Sequence, residues 1–236
     1  MNYTWQWQIF LKDNGGGQTY LNWLMSAWGW TLSVALSAWI VALLMGCLVG
    51  ILRTTPSKLL TLGGDIWTEV FRNVPLLVQV FLWYFVVPTI VPVFSQVPSF
   101  VLVVLALGFF TSARISEQVK AGIQALPAGQ RLAGLAMGLT LTQTYRHVLL
   151  PVAFRIVMPP LTSEAMNIIK NSSVAFAVSI AELTMFAMQA QEETSRGIEI
   201  YLAVTGLYFI SAFAINRAAV FVEHLVQVPG MAGAGK

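Results

Sequence analysis

Residues 24–52 contain no Asp, Glu, Lys, Arg or His across 29 consecutive positions. A helix of about 20 apolar residues already crosses the hydrocarbon core of a bilayer, and a water-exposed chain has no means of covering a longer one. Four more apolar stretches follow, at 66–90, 100–123, 148–170 and 200–222, each interrupted by at most a few ionisable residues. Charged residues make up only 10% of the 236-residue chain, against about a quarter in a soluble domain. An ordinary cytosolic enzyme is therefore excluded. A nucleic-acid binder is excluded too, because the net charge of +3 is scattered and forms no basic patch. A single cysteine rules out a disulfide framework and a cysteine-based metal cluster. The expected fold class is an all-α membrane protein, a bundle of five transmembrane helices making one domain over 24–227. An interfacial segment, 1–23, precedes it and a short tail, 228–236, follows.

Five spans put the two termini on opposite sides of the bilayer. With the N-terminus outside, Arg53, Lys58, Lys120, Arg131, Arg146, Arg155, Arg217 and Lys236 fall inside. Only Lys12 and Arg196 fall outside, and eight against two satisfies the positive-inside rule. The opening MNYTWQWQIF lacks a basic n-region and is not expected to be a secretory signal. Trp5, Trp7, Trp23, Trp28 and Trp30 suit a membrane–water boundary instead. Gly46 and Gly50 form a small-xxx-small face on the first span, expected at a helix contact, with Cys47 as an apolar filler.

The inner loop 124–147 is the least apolar long stretch of the bundle. Pro127 and Gly129 break the third span, 130–137 forms a short helix ended by Gly138, and 140–145 allows a second. Such a helix–Gly–helix element is either a plain connector or a compact knob for a soluble partner. Leu132-Ala133-Gly134, then three residues and Gly138, then nine residues and Val148-Leu149-Leu150-Pro151, keeps the spacing of EAA-x3-G-x9-I-x-LP. The segment thus resembles the signature loop of ABC-importer permeases, with Leu132 in place of the usual Glu. Glu69 to Gln79, reading EVFRNVPLLVQ, and Ile169-Lys170-Asn171-Ser172-Ser173 resemble two further blocks of polar amino-acid permeases. In detail the chain is similar to the permease subunits of bacterial glutamate/aspartate importers.

That resemblance implies a type I ABC-importer bundle in the bacterial inner membrane, with a periplasmic N-terminus and a cytoplasmic C-terminus. It implies a cytoplasmic ATPase dimer as partner, coupled through Leu132, Ala133, Gly134, Gly138, Thr140 and Tyr145. A second permease subunit, a paralogue or another copy of this chain, and a periplasmic amino-acid-binding protein complete the set. ATP and Mg would be bound by the ATPase, and no cofactor by this chain. The sequence agrees: it has no G-x-x-x-x-G-K-[ST], no H-E-x-x-H and no G-x-S-x-G, so it is not expected to be an enzyme.

Three basic residues remain within or at the edge of the bilayer: Arg72, Arg114 and Lys170. An ionisable residue at membrane depth costs several kcal/mol unless paired or wetted, which makes each a candidate functional residue. At a rise of 1.5 Å per residue, Arg72 and Arg114 lie about 12 and 13 Å from the inner ends of their spans. Each has a carboxylate three residues away, Glu69 and Glu117, and the plain expectation is pairing within its own helix. Amino-acid permeases commonly carry an aromatic where Arg114 stands. A guanidinium fork there suits a substrate carboxylate. On the fourth span Ser163, Glu164, Asn167 and Lys170 make a polar stripe. Glu164 is expected to receive a substrate ammonium, and Lys170 either to attract a carboxylate or to reach the outer interface. The expected site is thus Arg72, Arg114, Glu164, Asn167 and Lys170. Ser172 and Ser173 are expected to cap a short outer helix over 174–186. The competing expectations are an ion-coupled secondary transporter using Glu69, Glu117 and Glu164, although no inverted repeat is visible, and the same permease role with glutamine or basic amino acids as substrate.

Overall fold

A computed structural model describes residues 3–226, the side chains of 223–226 excepted, so the expected tail 228–236 lies outside the described residues. The helices run in the order α1 (Tyr20–Leu52), α2 (Lys58–Asn73), α3 (Leu76–Phe81), α4 (Val87–Ile90), α5 (Ser99–Gln124), α6 (Ala128–Ala136), α7 (Leu141–Thr144), α8 (Leu150–Asn171), α9 (Leu183–Thr194) and α10 (Gly197–Val226). Among the described residues there is no strand, only one isolated bridge between Asp13 and Thr19. Four segments are long and apolar enough to cross a membrane; α2 to α4 make a fifth if counted as one interrupted span. The interruption has a local cause. Pro75 supplies no N–H, and the residue before a proline is pushed out of the helical region, as Val74 is at φ −89°, ψ 130°.

The described chain forms two units, 3–39 with 75–107 and 167–214, and 40–74 with 108–166 and 215–226. The long helices α1, α5, α8 and α10 contribute a stretch to each. In the first unit a 3-10 turn, Trp7–Leu11, buries Ile9 and Phe10 against Tyr20, Leu24 and Ala27 of α1. Leu183, Phe186 and Ala190 of α9 and Ile200 of α10 close the same core. The Tyr3 hydroxyl and the Gln6 N–H both donate to Glu199, which fastens the N-terminal segment to α10. Ser172 and Ser173 begin a 3-10 stretch, Ser172–Val178, and do not cap the outer helix. Glu182 caps α9 instead: its carboxylate accepts from the N–H groups of Thr184 (2.9 Å) and Met185 (3.0 Å) and from the Tyr208 hydroxyl (2.9 Å).

In the second unit α1 meets α5 through glycine. A Cβ on Gly46 would stand 2.6 Å from Ile115, and one on Gly50 would stand 2.7 Å from Val119, so only the bare backbone lets these helices approach. Gly122 serves the α5–α8 contact in the same way, since its Cβ would reach 2.2 Å from Val157. α2 is held differently. It buries only Gly64 and Thr68, while Leu59, Leu62, Ile66 and Val70 stay exposed. The Trp67 and Phe71 rings pack on Phe109 of α5 (centroids 4.9 and 5.4 Å), and polar bonds, Thr68 to Ser116 (2.8 Å) and the Trp67 indole to Ser112 (3.0 Å), fasten the same contact.

Burial pushes the Glu182 carboxyl above its ordinary value, against the opposing bonds from Thr184, Tyr208 and Met185. The native state then holds this proton more tightly than the unfolded chain. Its contribution to stability is full below the ordinary carboxylate range and declines as pH rises through the raised value. Glu182→Ala should lower the thermal midpoint by the equivalent of about 1 kcal/mol at low pH, as lost caps do, and by less as pH rises. Glu182→Gln, which keeps an acceptor without the charge, should gain on the wild type as pH rises. Melting curves of the purified protein across pH check both.

Candidate functional site

Two clusters in the second unit hold most of the candidate residues, and the first is the loop after α5. The α6 helix ends where Gly138 takes φ +84°, a left-handed conformation that costs a side-chain-bearing residue roughly 1–2 kcal/mol. The Gly138 N–H donates to the Leu135 carbonyl (3.0 Å) and the Leu139 N–H to the Gly134 carbonyl (3.2 Å), the paired bonds of a Schellman end. Thr140 then opens α7 with a capping box: its hydroxyl accepts from the Gln143 N–H (3.2 Å), and the Gln143 side chain accepts from the Thr140 N–H (2.8 Å). The two short helices cross at Gly134, whose Cβ would stand 2.8 Å from the Thr144 methyl. Gly134 and Thr144 are buried at this crossing, while Leu132 is 60% and Met137 82% exposed. The result is a compact knob that exposes the apolar Leu132, Leu135 and Met137. Tyr145, itself buried, opens a π-helical turn, Tyr145–Leu149, that leads into α8.

The second cluster holds the charges. Arg114 does not pair with Glu117 along its own helix. Its Nε donates to Oε2 of Glu164 on α8 at 2.9 Å, and the Gln118 amide donates to Oε1 of the same carboxylate at 3.2 Å. Glu164 is buried, whereas the Arg114 side chain is 46% exposed. The buried carboxylate thus fixes the arginine by one nitrogen, and no described residue takes its two terminal nitrogens. Arg72 meets the expectation of a pair within its helix: Nη2 donates to Glu69 at 2.8 Å, and Nη1 stands 3.6 Å from Glu117. Asn167 and Lys170 lie on the α8 stretch of the first unit, half-buried and exposed respectively.

Glu117 is instead engaged by Arg53, which sequence reasoning had placed among the orienting charges of the inner loops. Arg53 is 6% exposed and spends Nε on Asp65 (2.6 Å), Nη1 on Ser116 (2.9 Å) and Nη2 on Glu117 (2.8 Å). Gln118 was also missed. A lone glutamine on an apolar helix carries little signal, though its place one turn after Arg114 puts both on one face.

A family model described as "Binding-protein-dependent transport system inner membrane component" matches residues 41–227. The chain belongs to this family: it is an all-helical inner-membrane component of a binding-protein-dependent transport system. It is 41% identical, over 99% of both chains, to the glutamate/aspartate import permease protein GltJ of Escherichia coli (strain K12). It is 31% identical to the probable glutamine ABC transporter permease protein GlnM of Bacillus subtilis (strain 168), over 84% of this chain and 90% of the relative. A crystal structure of an amino acid ABC transporter with histidines superposes with a TM-score of 0.75 at 29% identity, covering 87% of this chain and 95% of that one. The inward-facing MetNI methionine ABC transporter, at a TM-score of 0.76 and 21% identity over 88% and 98%, shares the fold.

The knob's two glycines are separable by experiment. Gly138→Ala forces a side chain into the left-handed region and should lower stability by about 1–2 kcal/mol. Gly134→Val should drive α6 off Thr144 and open the loop to proteases between 128 and 149. Melting curves and limited proteolysis of the purified protein check these outcomes; a wild-type digestion pattern for Gly134→Val would contradict the crossing.

Proposed function

We propose that this chain is the membrane-spanning permease subunit of an ATP-driven importer for acidic amino acids, glutamate and aspartate. The observation that carries the reading is the Arg114–Glu164 pair in a chain so similar throughout to a glutamate/aspartate import permease. A buried carboxylate that holds Arg114 by Nε presents the outer edge of the guanidinium as a fork for an incoming carboxylate. Glu164, already facing the same place, offers its charge to the substrate ammonium. Arg72, paired but 44% exposed, is a second attractor for anionic substrate, and Asn167 and Lys170 continue the polar stripe of α8.

In this reading the chain crosses the membrane five times, α2 to α4 forming one interrupted span, with its N-terminus periplasmic and its C-terminus cytoplasmic. The segments 1–23, 24–227 and 228–236 are an interfacial arm, one transmembrane domain and a cytoplasmic tail. A cytoplasmic ATPase dimer, which binds ATP and Mg, docks on the exposed face of the knob at Leu132, Ala133, Gly138 and Thr140, while the buried Gly134 and Tyr145 support that face and couple it to the rest of the chain. Leu132 supplies an exposed apolar contact where the family motif has a carboxylate. A loaded periplasmic binding protein engages the other side. A second permease subunit, a paralogue or another copy, completes the path, and ATP-driven closure of the ATPases rocks the pair between outward and inward access. Catalysis belongs to the ATPase and not to this chain.

Arg114→Gln exchanges the carboxylate fork for an amide. In proteoliposomes holding the complete importer, it should reduce glutamate uptake by about tenfold, one lost charge-assisted contact, and change glutamine uptake far less. Radiolabelled uptake of both substrates measures this, and an unchanged preference contradicts the assignment of Arg114.

A further inference from the structure

Arg53 sits between the knob and the charged cluster, and it is tied to both. Its backbone ends α1, with its N–H donating to the Val49 carbonyl (3.0 Å). Its side chain runs across Gly64 of α2, where a Cβ would come within 2.5 Å of the arginine Cγ. The guanidinium then reaches Asp65 on α2 and both Ser116 and Glu117 on α5. Those carboxylates are shared onward. Lys120 stands 3.4 Å from Asp65, and Arg72 stands 3.6 Å from Glu117. On the other side is the next residue, Thr54. The Tyr145 hydroxyl donates to the Thr54 carbonyl at 2.7 Å and lies 3.1 Å from its hydroxyl. Tyr145 follows directly on α7, which is locked to α6 at Gly134.

The bonds that Arg53 makes and the Tyr145–Thr54 bond are short, 2.6 to 2.9 Å, and the guanidinium itself is buried, while Asp65 and Glu117 are partly exposed. Burying an ion pair brings little net stability over well-packed apolar residues, but removing one partner leaves a charge stranded and is strongly destabilising. The network is therefore a poor way to hold helices together and an effective way to make two of them follow one residue. α2 packs on α5 through the Trp67 and Phe71 rings against Phe109, and the bonds of Arg53 to Asp65 and Glu117 add a joint that ties both helices to one residue. α5 also carries Arg114, two residues before Ser116.

We infer that Arg53 is a positioning residue for energy coupling: with Tyr145 and Thr54 it transmits movement of the knob to α2 and α5. This rests on the reading that the knob receives the ATPase. A shift of α7 pulls on the Thr54 main chain through Tyr145. Arg53, one bond along the chain, then carries α2 and α5 with it, because its three donor groups are committed to them.

The test uses the complete importer, both permease subunits, ATPase and binding protein, reconstituted with glutamate inside a stated ATP range. Wild-type importer is first checked for ATPase retained on purification and for ATP-dependent uptake; absence of either refutes the docking reading itself. Tyr145→Phe, which loses one hydroxyl, and Arg53→Gln are then compared for uptake per ATP hydrolysed. Both should keep the ATPase bound and hydrolysing while that ratio falls about fivefold or more, the scale of ordinary site-to-site coupling. Arg53→Lys, which keeps the charge without the fork, should recover part of it. Because the two residues act in series, the double variant should be no worse than the poorer single one. A ratio unchanged in Tyr145→Phe, or losses that multiply in the double variant, overturns the inference while leaving the docking reading intact. Should Arg53→Gln fail to assemble, Tyr145→Phe alone decides.

Discussion

Arg53 carries a full positive charge into a place where only 6% of the residue is exposed. A charge in low-dielectric surroundings must be matched by partners with good geometry, or it costs several kcal/mol. Matching it fixes much else in the second unit. Asp65 and Glu117 have to face it from α2 and α5, and Gly64 has to be bare so that the stem can pass. α1 has to lie close enough to α5 for the fork to arrive, and Gly46 and Gly50 allow that approach. The scarcity of charge makes the chain a membrane protein; the pairing of the few buried charges decides which helices are fastened to which.

The same rule separates the two arginines by their surroundings. Arg53 has each of its three donor groups taken and almost no exposure. Arg114 has one nitrogen held by a buried carboxylate and nearly half of its side chain open. The first arrangement suits a joint and the second suits a binding group.

Much of this was legible in the sequence, and the failures share a physical cause. The apolar runs, the small-xxx-small face of span one and the helix–Gly–helix loop all rest on local periodicity and on glycine, which a sequence displays directly. The Glu69–Arg72 pair, also local, formed as expected. Arg114 and Glu117 have the same i,i+3 spacing, yet each found a partner on another helix, because burial gave cross-helix partners that spacing cannot display. The cap of the outer helix was misplaced for a related reason. Ser172 and Ser173 have the composition of caps, but the backbone runs through them in a 3-10 stretch and Glu182 takes the role, supported by Tyr208 from α10. The second span was expected as one stretch over 66–90, but the chain breaks before Pro75 and α2 reaches back to Lys58.

The account's central claim is that this membrane component moves acidic amino acids with energy from ATP. The most direct measurement is accumulation of radiolabelled glutamate, aspartate, glutamine and arginine in proteoliposomes containing the complete importer, with and without internal ATP and with ion gradients collapsed. The account predicts ATP-dependent accumulation of glutamate and aspartate that survives loss of the gradients and exceeds that of the other two. Uptake that follows a proton or sodium gradient without nucleotide, or a preference for glutamine or arginine, would contradict it.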